Sequence, residues 1–126
     1  MRVLLAVSAA VVIFPMAAAA QTWKEIGKTP SGSVVLVDPK TVKRGGDTVT
    51  ATVRTRFAKA DGDGVTMTRT IATFNCSNGK VAVKENASYA GTKLVKKSVP
   101  AKPGYGVVFG GSMTGVAYEY LCAKKP

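Results

Sequence analysis

Histidine is absent from the 126 residues. That removes the commonest general base and the commonest metal ligand together, so no Ser or Cys nucleophile can be paired with an imidazole. Acidic residues are scarce: Glu25, Asp38, Asp47, Asp61, Asp63, Glu85 and Glu119 are the whole set, scattered beside turns or on polar faces. A carboxylate pair meeting in space is the one catalytic arrangement left open. A non-enzymatic protein without metal or cofactor is expected. Cysteine occurs only as Cys76 and Cys122, and the lack of a Cys-x-x-Cys spacing argues against a redox-active pair. Past Ala20 no apolar run approaches the roughly 20 residues of a membrane-spanning helix, so no transmembrane segment is expected.

What is present begins with an export signature. Met1-Arg2 supplies a short positive start, Val3 to Phe14 is apolar apart from Ser8, and Pro15 leads to the small-residue tract Ala17-Ala18-Ala19-Ala20. These are the parts of a secretory signal peptide. Residues 1–20 are expected to be cleaved, leaving 21–126 as a single exported domain, periplasmic or secreted. A retained apolar anchor is the alternative. The junction carries no cysteine, so nothing points to lipidation there.

Export decides the chemistry of Cys76 and Cys122. In an oxidising compartment a lone pair of thiols in a small domain is expected to form a disulfide. Such a bridge ties mid-chain to the C-terminus and is worth about 4 kcal/mol on the chain-entropy model. Separately buried thiols are the alternative.

Lys and Arg number 18 against 7 Asp and Glu, a net charge of +11. Such an excess attracts anionic partners and raises their encounter rate. Nucleic acid, sulfated polysaccharide, anionic lipid and acidic protein surfaces are the candidates; solubility among acidic neighbours is the bland account. Arg54 and Arg56, with Arg69, are placed to form a ladder on the solvent face of a central hairpin. Lys93, Lys96, Lys97 and Lys102 crowd a late strand, and Lys40, Lys43 and Arg44 an early turn. Arrays of this kind suit phosphate or sulfate groups. No aromatic row is interleaved with them and no nucleic-acid module signature occurs, so specific nucleic-acid recognition is not expected.

The body of the chain alternates Val, Thr and aromatic residues with polar ones, punctuated by Gly, Asp, Asn and Pro. Strands are expected over Thr22–Lys28 with Trp23 as its large apolar residue, Val34–Val37, Thr48–Phe57, Val65 to about Cys76, Lys80–Tyr89 and Thr92–Val99. In the longest, Val49, Ala51, Val53, Thr55 and Phe57 should face the core and Thr50, Thr52, Arg54 and Arg56 the solvent. In its partner, Thr70, Ala72 and Phe74 share one face and Arg69 and Ile71 the other, and either face can be the core. Val81, Val83, Ala87 and Tyr89 should share a face. Thr29 to Gly32, Arg44 to Asp47 and Ser77-Asn78-Gly79 read as turns, the last a tight hairpin turn of the Asn-Gly kind. Lysines on both faces of Thr92–Val99 mark a protected edge strand. Ser112 is a suitable N-cap, and Met113, Val116, Ala117, Tyr120 and Leu121 fall at helical spacing, with Gly115 a cost of about 1 kcal/mol and Lys124-Lys125 complementing the negative end. The fold class is α+β, an antiparallel sheet covered by one C-terminal helix.

Other features invite functional readings. Asp61-Gly62-Asp63-Gly64 looks like part of a calcium loop, but the further oxygen ligands and late bidentate acid are missing, so an ordinary hairpin loop is expected. Trp23, Tyr105 and Phe109 lie near turns, where core or core-edge packing is favoured over a role as partner anchors. Pro103-Gly104-Tyr105-Gly106 reads as a flexible connection into the helix.

The order of features resembles the surface-adhesin protein E family of bacterial exported proteins. The matching stretches are Trp23-Lys24-Glu25-Ile26-Gly27, Val37-Asp38-Pro39-Lys40-Thr41-Val42, the strand Thr48–Phe57, Asn75-Cys76, and Ser112 to Cys122. The resemblance implies a sheet of about six strands on a helix pinned by the disulfide, and a non-enzymatic role. For the best-known adhesins of the family it implies binding of host proteins such as vitronectin and laminin. Those adhesins are lipid-anchored, whereas this chain lacks the junction cysteine, and Val107-Val108-Phe109 stands where the family has a Trp before the helix. No binding residue is carried over, because the shared positions are scaffold ones.

Two readings follow. In one, a monomeric or homodimeric exported protein binds acidic host matrix proteins or glycosaminoglycans through Arg54, Arg56, Lys93, Lys96 and Lys97. In the other, a periplasmic accessory envelope protein associates with anionic lipopolysaccharide, or with an assembly partner through the sheet edge.

Overall fold

Thr and Val alternate through residues 48–56 in the longest clean β pattern of the chain, and the sheet is organised around it. A computed structural model of the chain describes residues 22–123; the expected signal peptide and Lys124-Lys125 lie outside them. The strands are β1 (Lys24–Lys28), β2 (Val34–Val37), β3 (Lys43–Gly45), β4 (Thr48–Arg56), β5 (Met67–Asn75), β6 (Lys80–Ala90), β7 (Lys93–Ser98) and β8 (Tyr105–Val107), followed by the helix α1 (Met113–Ala123). All pairings are antiparallel, in the order β1-β2-β4-β5-β6-β7. This main path matches the expected six strands. Two short strands were not foreseen: β3 pairs with the start of β4, and β8 with the start of β6. At three residues each, neither is long enough to show an alternating pattern.

The core lies on one face of this sheet. Val35, Val37, Val49, Ala51, Val53, Ala72 and Phe74 pack with Ala117 and Leu121 of α1, all at 1% exposure or less. Register explains the set, since Val49 lies opposite Phe74, Ala51 opposite Ala72 and Val53 opposite Thr70. The core face of β5 is therefore Thr70-Ala72-Phe74. Burying each large apolar side chain contributes about 1.5–3 kcal/mol. Phe57, expected in the core, falls after the end of β4 and is only half-buried.

One expectation fails in β6. Val83 lies opposite Ala72, but Glu85 lies opposite Ile71, so Lys84 is an extra residue. This bulge reverses the alternation. Val81 and Val83 stay on the helix side with Asn86 and Ser88, while Ala82, Glu85, Ala87 and Tyr89 turn to the outer face. Asn86 accepts a 2.8 Å hydrogen bond from the buried Thr70 hydroxyl, which satisfies that polar group in place of an apolar contact.

The Asn75–Lys80 pair closes a four-residue loop rather than a two-residue one. The amide of Gly79, at φ 68°, donates to the Asn75 carbonyl, and the Asn75 side chain accepts from the Ser77 amide.

The helix is fastened at several points. Ser112 is the N-cap, its hydroxyl accepting from the Gly115 amide at 3.0 Å. Gly115 is not merely a cost: a Cβ there would run into the backbone carbonyl of Phe109, so the close approach needs glycine. Cys76 and Cys122 form a disulfide across 46 residues, and the Tyr118 hydroxyl donates to the Cys76 carbonyl at 3.0 Å beside it. At the C-terminal end Arg44 Nη1 donates to the Leu121 carbonyl at 2.7 Å. A guanidinium from β3 thus satisfies an orphan carbonyl at the negative end of the helix.

Candidate functional site

The face of the sheet away from α1 carries the strongest concentration of charge. Arg54 of β4 lies directly opposite Arg69 of β5, Arg69 opposite Ala87 of β6, and Ala87 opposite Lys97 of β7. Residues directly opposite one another project from the same face, so Arg54, Arg69 and Lys97 form one row around a small residue. The next row is Arg56, Met67, Tyr89 and Leu94, and on the other side lie Thr52, Ile71 and Glu85. The ladder of Arg54, Arg56 and Arg69 foreseen from the period of two is present.

The lysines of β7 do not act as a group. A bulge at Val95 puts Leu94 opposite Tyr89 but Lys96 opposite Ser88 and Lys93 opposite Ala90. Lys97 therefore joins the arginine face, while Lys93 and Lys96 project from the other side of the sheet. The two lysines fit a protected edge and project from the face opposite Arg54.

Like charges directly opposite in a sheet are destabilising, by about 0.2–1 kcal/mol. The Arg54–Arg69 pair is only partly compensated. Glu85 Oε1 lies 3.2 Å from Lys97 Nζ, but its Oε2 is 3.9 Å from Arg69 Nη2, an ion pair beyond hydrogen-bond reach. Arg54 stacks on the chain's single tryptophan, with its guanidinium 4.4 Å from the Trp23 ring centre. That cation–π contact contributes about 0.5–1 kcal/mol at a partly exposed site. Trp23 precedes β1 rather than lying within it, and it buttresses this face instead of entering the core. Nε of Arg54 and Nε of Arg69 are shielded from solvent, yet neither has a hydrogen-bond partner. Between the two arginines and Met67, Tyr89, Gly91 and Thr92 lies an open depression of about 490 Å³.

The remaining candidates resolve differently. Asp61 Oδ1 accepts from the amides of Asp63 and Val65, both at 2.9 Å, so this carboxylate is used in building its own loop. Among the described residues no group of three or more His, Cys, Asp or Glu is placed to hold a metal. Tyr105 and Phe109 are 50% and 70% exposed, which overturns the expectation of core-edge packing for both. Tyr105 belongs to β8 because the supposed flexible connection pairs with β6. With Leu94 and Val95 of β7, also about half exposed, they leave an apolar rim along the free edge of the sheet.

A second, smaller hollow of about 270 Å³ lies at the far end of α1, lined by Lys24, Val37, Pro39, Val42, Arg44, Tyr120 and Leu121. Arg44 is committed there to the helix end and Lys24 lies 5.4 Å from the Tyr120 ring centre, so its cations already serve the fold.

Comparison with known proteins agrees with the architecture. The family model described as Surface-adhesin protein E matches residues 23–123. No curated protein sequence matches the chain. Among solved structures, crystal form II of Haemophilus influenzae protein E is similar in fold, with a TM-score of 0.50 at 13% identity, covering 71% of this chain and 80% of that one.

Proposed function

The chain belongs to the surface-adhesin protein E family, and on that footing we propose that it is an exported, non-enzymatic binding protein that engages acidic partners through the outer face of its sheet. The partners are acidic surfaces of host matrix proteins, with vitronectin and laminin as the first to test, or polyanions such as glycosaminoglycans. The carrying observation is the row in which Arg54 faces Arg69 directly and Lys97 extends the same line, with Arg56 adjacent. Arg54, Arg56 and Lys97 take the contact role, joined by Arg69. Lys93 and Lys96 are set aside by their orientation. Export rests on the leader-like residues 1–20, and no helix among the described residues is long and apolar enough to cross a membrane.

Purified protein binding to immobilised vitronectin, heparin and DNA across a salt series tests this. Saturable vitronectin binding that survives salt above physiological, and is lost on charge reversal of Arg54, Arg56 and Lys97 but not of Lys93 and Lys96, supports the proposal. Binding to all three surfaces that disappears together as salt rises means a nonspecific basic domain, because screening removes exposed long-range attraction.

A second reading has its own observation. Strand β7 is exposed along its whole length, with Leu94 at 49% and Val95 at 47%. An unpaired edge of this kind is a template for another strand, as an envelope accessory protein would need for an assembly partner. Sedimentation of the protein alone and with envelope extract, before and after a proline in β7, separates this role from the first.

A further inference from the structure

We infer that Arg54 and Arg69 form a seat for the carboxylate of an acidic peptide segment, in which their side chains grip one anion as a pair. This rests on the reading of the outer face as the binding face, and goes further by naming the atoms and the ligand group.

The two guanidinium groups are the starting point, and neither has its Nε–H engaged by another group of the fold. They belong to residues on adjacent strands in direct register, at the wall of an open depression. An acceptor entering that depression meets two guanidinium groups and their positive charges. Arg54 is held by its stacking on Trp23, and a guanidinium fixed in advance loses less freedom when it binds. Arginine presents a planar fork that matches a carboxylate through two parallel hydrogen bonds.

The chemistry of the lining selects among anions. The fold's own counter-ion here is a carboxylate, Glu85, which leans toward Arg69 but stops at 3.9 Å. It is held back by Lys97, 3.2 Å from its other oxygen. Arg69 is thus left without a hydrogen bond to the one carboxylate beside it. The other walls are Met67 and Tyr89, with Gly91 and Thr92 at the rim. The Met67 side chain and the Tyr89 ring suit the methylene stem of an acidic side chain and its neighbours. They offer little to the hydroxyl-rich edge of a sulfated sugar, which makes a peptide the favoured occupant.

The single tryptophan provides the readout. Because Trp23 lies against Arg54, its emission should change when an anion is seated. The experiment titrates a short Glu- and Asp-rich peptide into the protein at fixed ionic strength, following Trp23 fluorescence. A heparin-derived oligosaccharide serves as the parallel probe. Saturable change with the peptide, weakened at least about tenfold in both Arg69→Gln and Arg69→Lys, is the expected result. The lysine variant matters most, because it keeps the charge and loses the fork. If Arg69→Lys binds as the parent does, the seat is overturned while the broader basic-face reading stands. A response to the sulfated oligosaccharide alone, or none to either probe, also overturns it. Unchanged far-UV circular dichroism and melting temperature confirm that each variant is folded.

Discussion

Val53 and Arg54 are consecutive residues of one strand, and they belong to two different problems. Val53 points to the helix side, is 1% exposed and lies opposite a buried threonine. Arg54 points outward and lies opposite another arginine. On the inner face neighbours are complementary in volume, and Thr70 is satisfied by Asn86. On the outer face Arg54 and Arg69 are alike in charge; unpartnered polar atoms occur on both faces, at the two Nε groups and at the buried Thr55 hydroxyl. The inner face is what folding requires. The arginine pair on the outer face adds a small like-charge cost that Trp23 and Glu85 offset in part.

Substitutions on the two faces should separate stability from binding. The largest loss is expected for Phe74→Ala, which opens a cavity beneath the helix; a fall of about 3–5 kcal/mol should appear as a lower denaturant midpoint. Removing the bridge with Cys76→Ala and Cys122→Ala together should cost about 4 kcal/mol, read as a drop in melting temperature. Gly115→Ala is sharper, because two effects predict opposite signs. Helix propensity alone would stabilise by about 1 kcal/mol, but the encounter with the Phe109 carbonyl should instead destabilise by about 1–3 kcal/mol in urea unfolding. On the outer face Arg69→Gln should change stability by no more than about 0.5 kcal/mol, and a slight gain is expected from relieving the like-charge pair. A loss of more than about 2 kcal/mol in that variant would break the division between the faces.

Period-two regions were legible in the chain. Thr48–Arg56 announced both its core residues and its arginine ladder, because alternation assigns faces without tertiary information. The cysteines announced their pairing for a chemical reason, and the structure contains the bridge. Where reading failed, an extra residue or a short element was responsible. The bulges at Lys84 and Val95 each reverse the faces downstream, moving Ala87 and Tyr89 outward and separating Lys97 from Lys93. A bulge is fixed by pairing with the adjacent strand, so nothing within β6 or β7 alone reveals it. Trp23 was read as the apolar residue of a strand and stacks on Arg54 instead. The depression between the arginines also needed Tyr89 of β6, and only register brings that residue to it.

The Cys76–Cys122 bridge also makes residues 76–122 a closed covalent ring, and β6, β7, β8 and most of α1 lie inside it. The exposed stretch Ser98–Tyr105 is the obvious place for a protease to cut. A single cut there opens the ring without releasing anything, since both new ends remain tied through sulfur. The nicked molecule should migrate as one species until a reductant is added, when it should separate into two fragments. In a protease-rich setting, the outer face would stay attached to the rest of the molecule after the first cleavage.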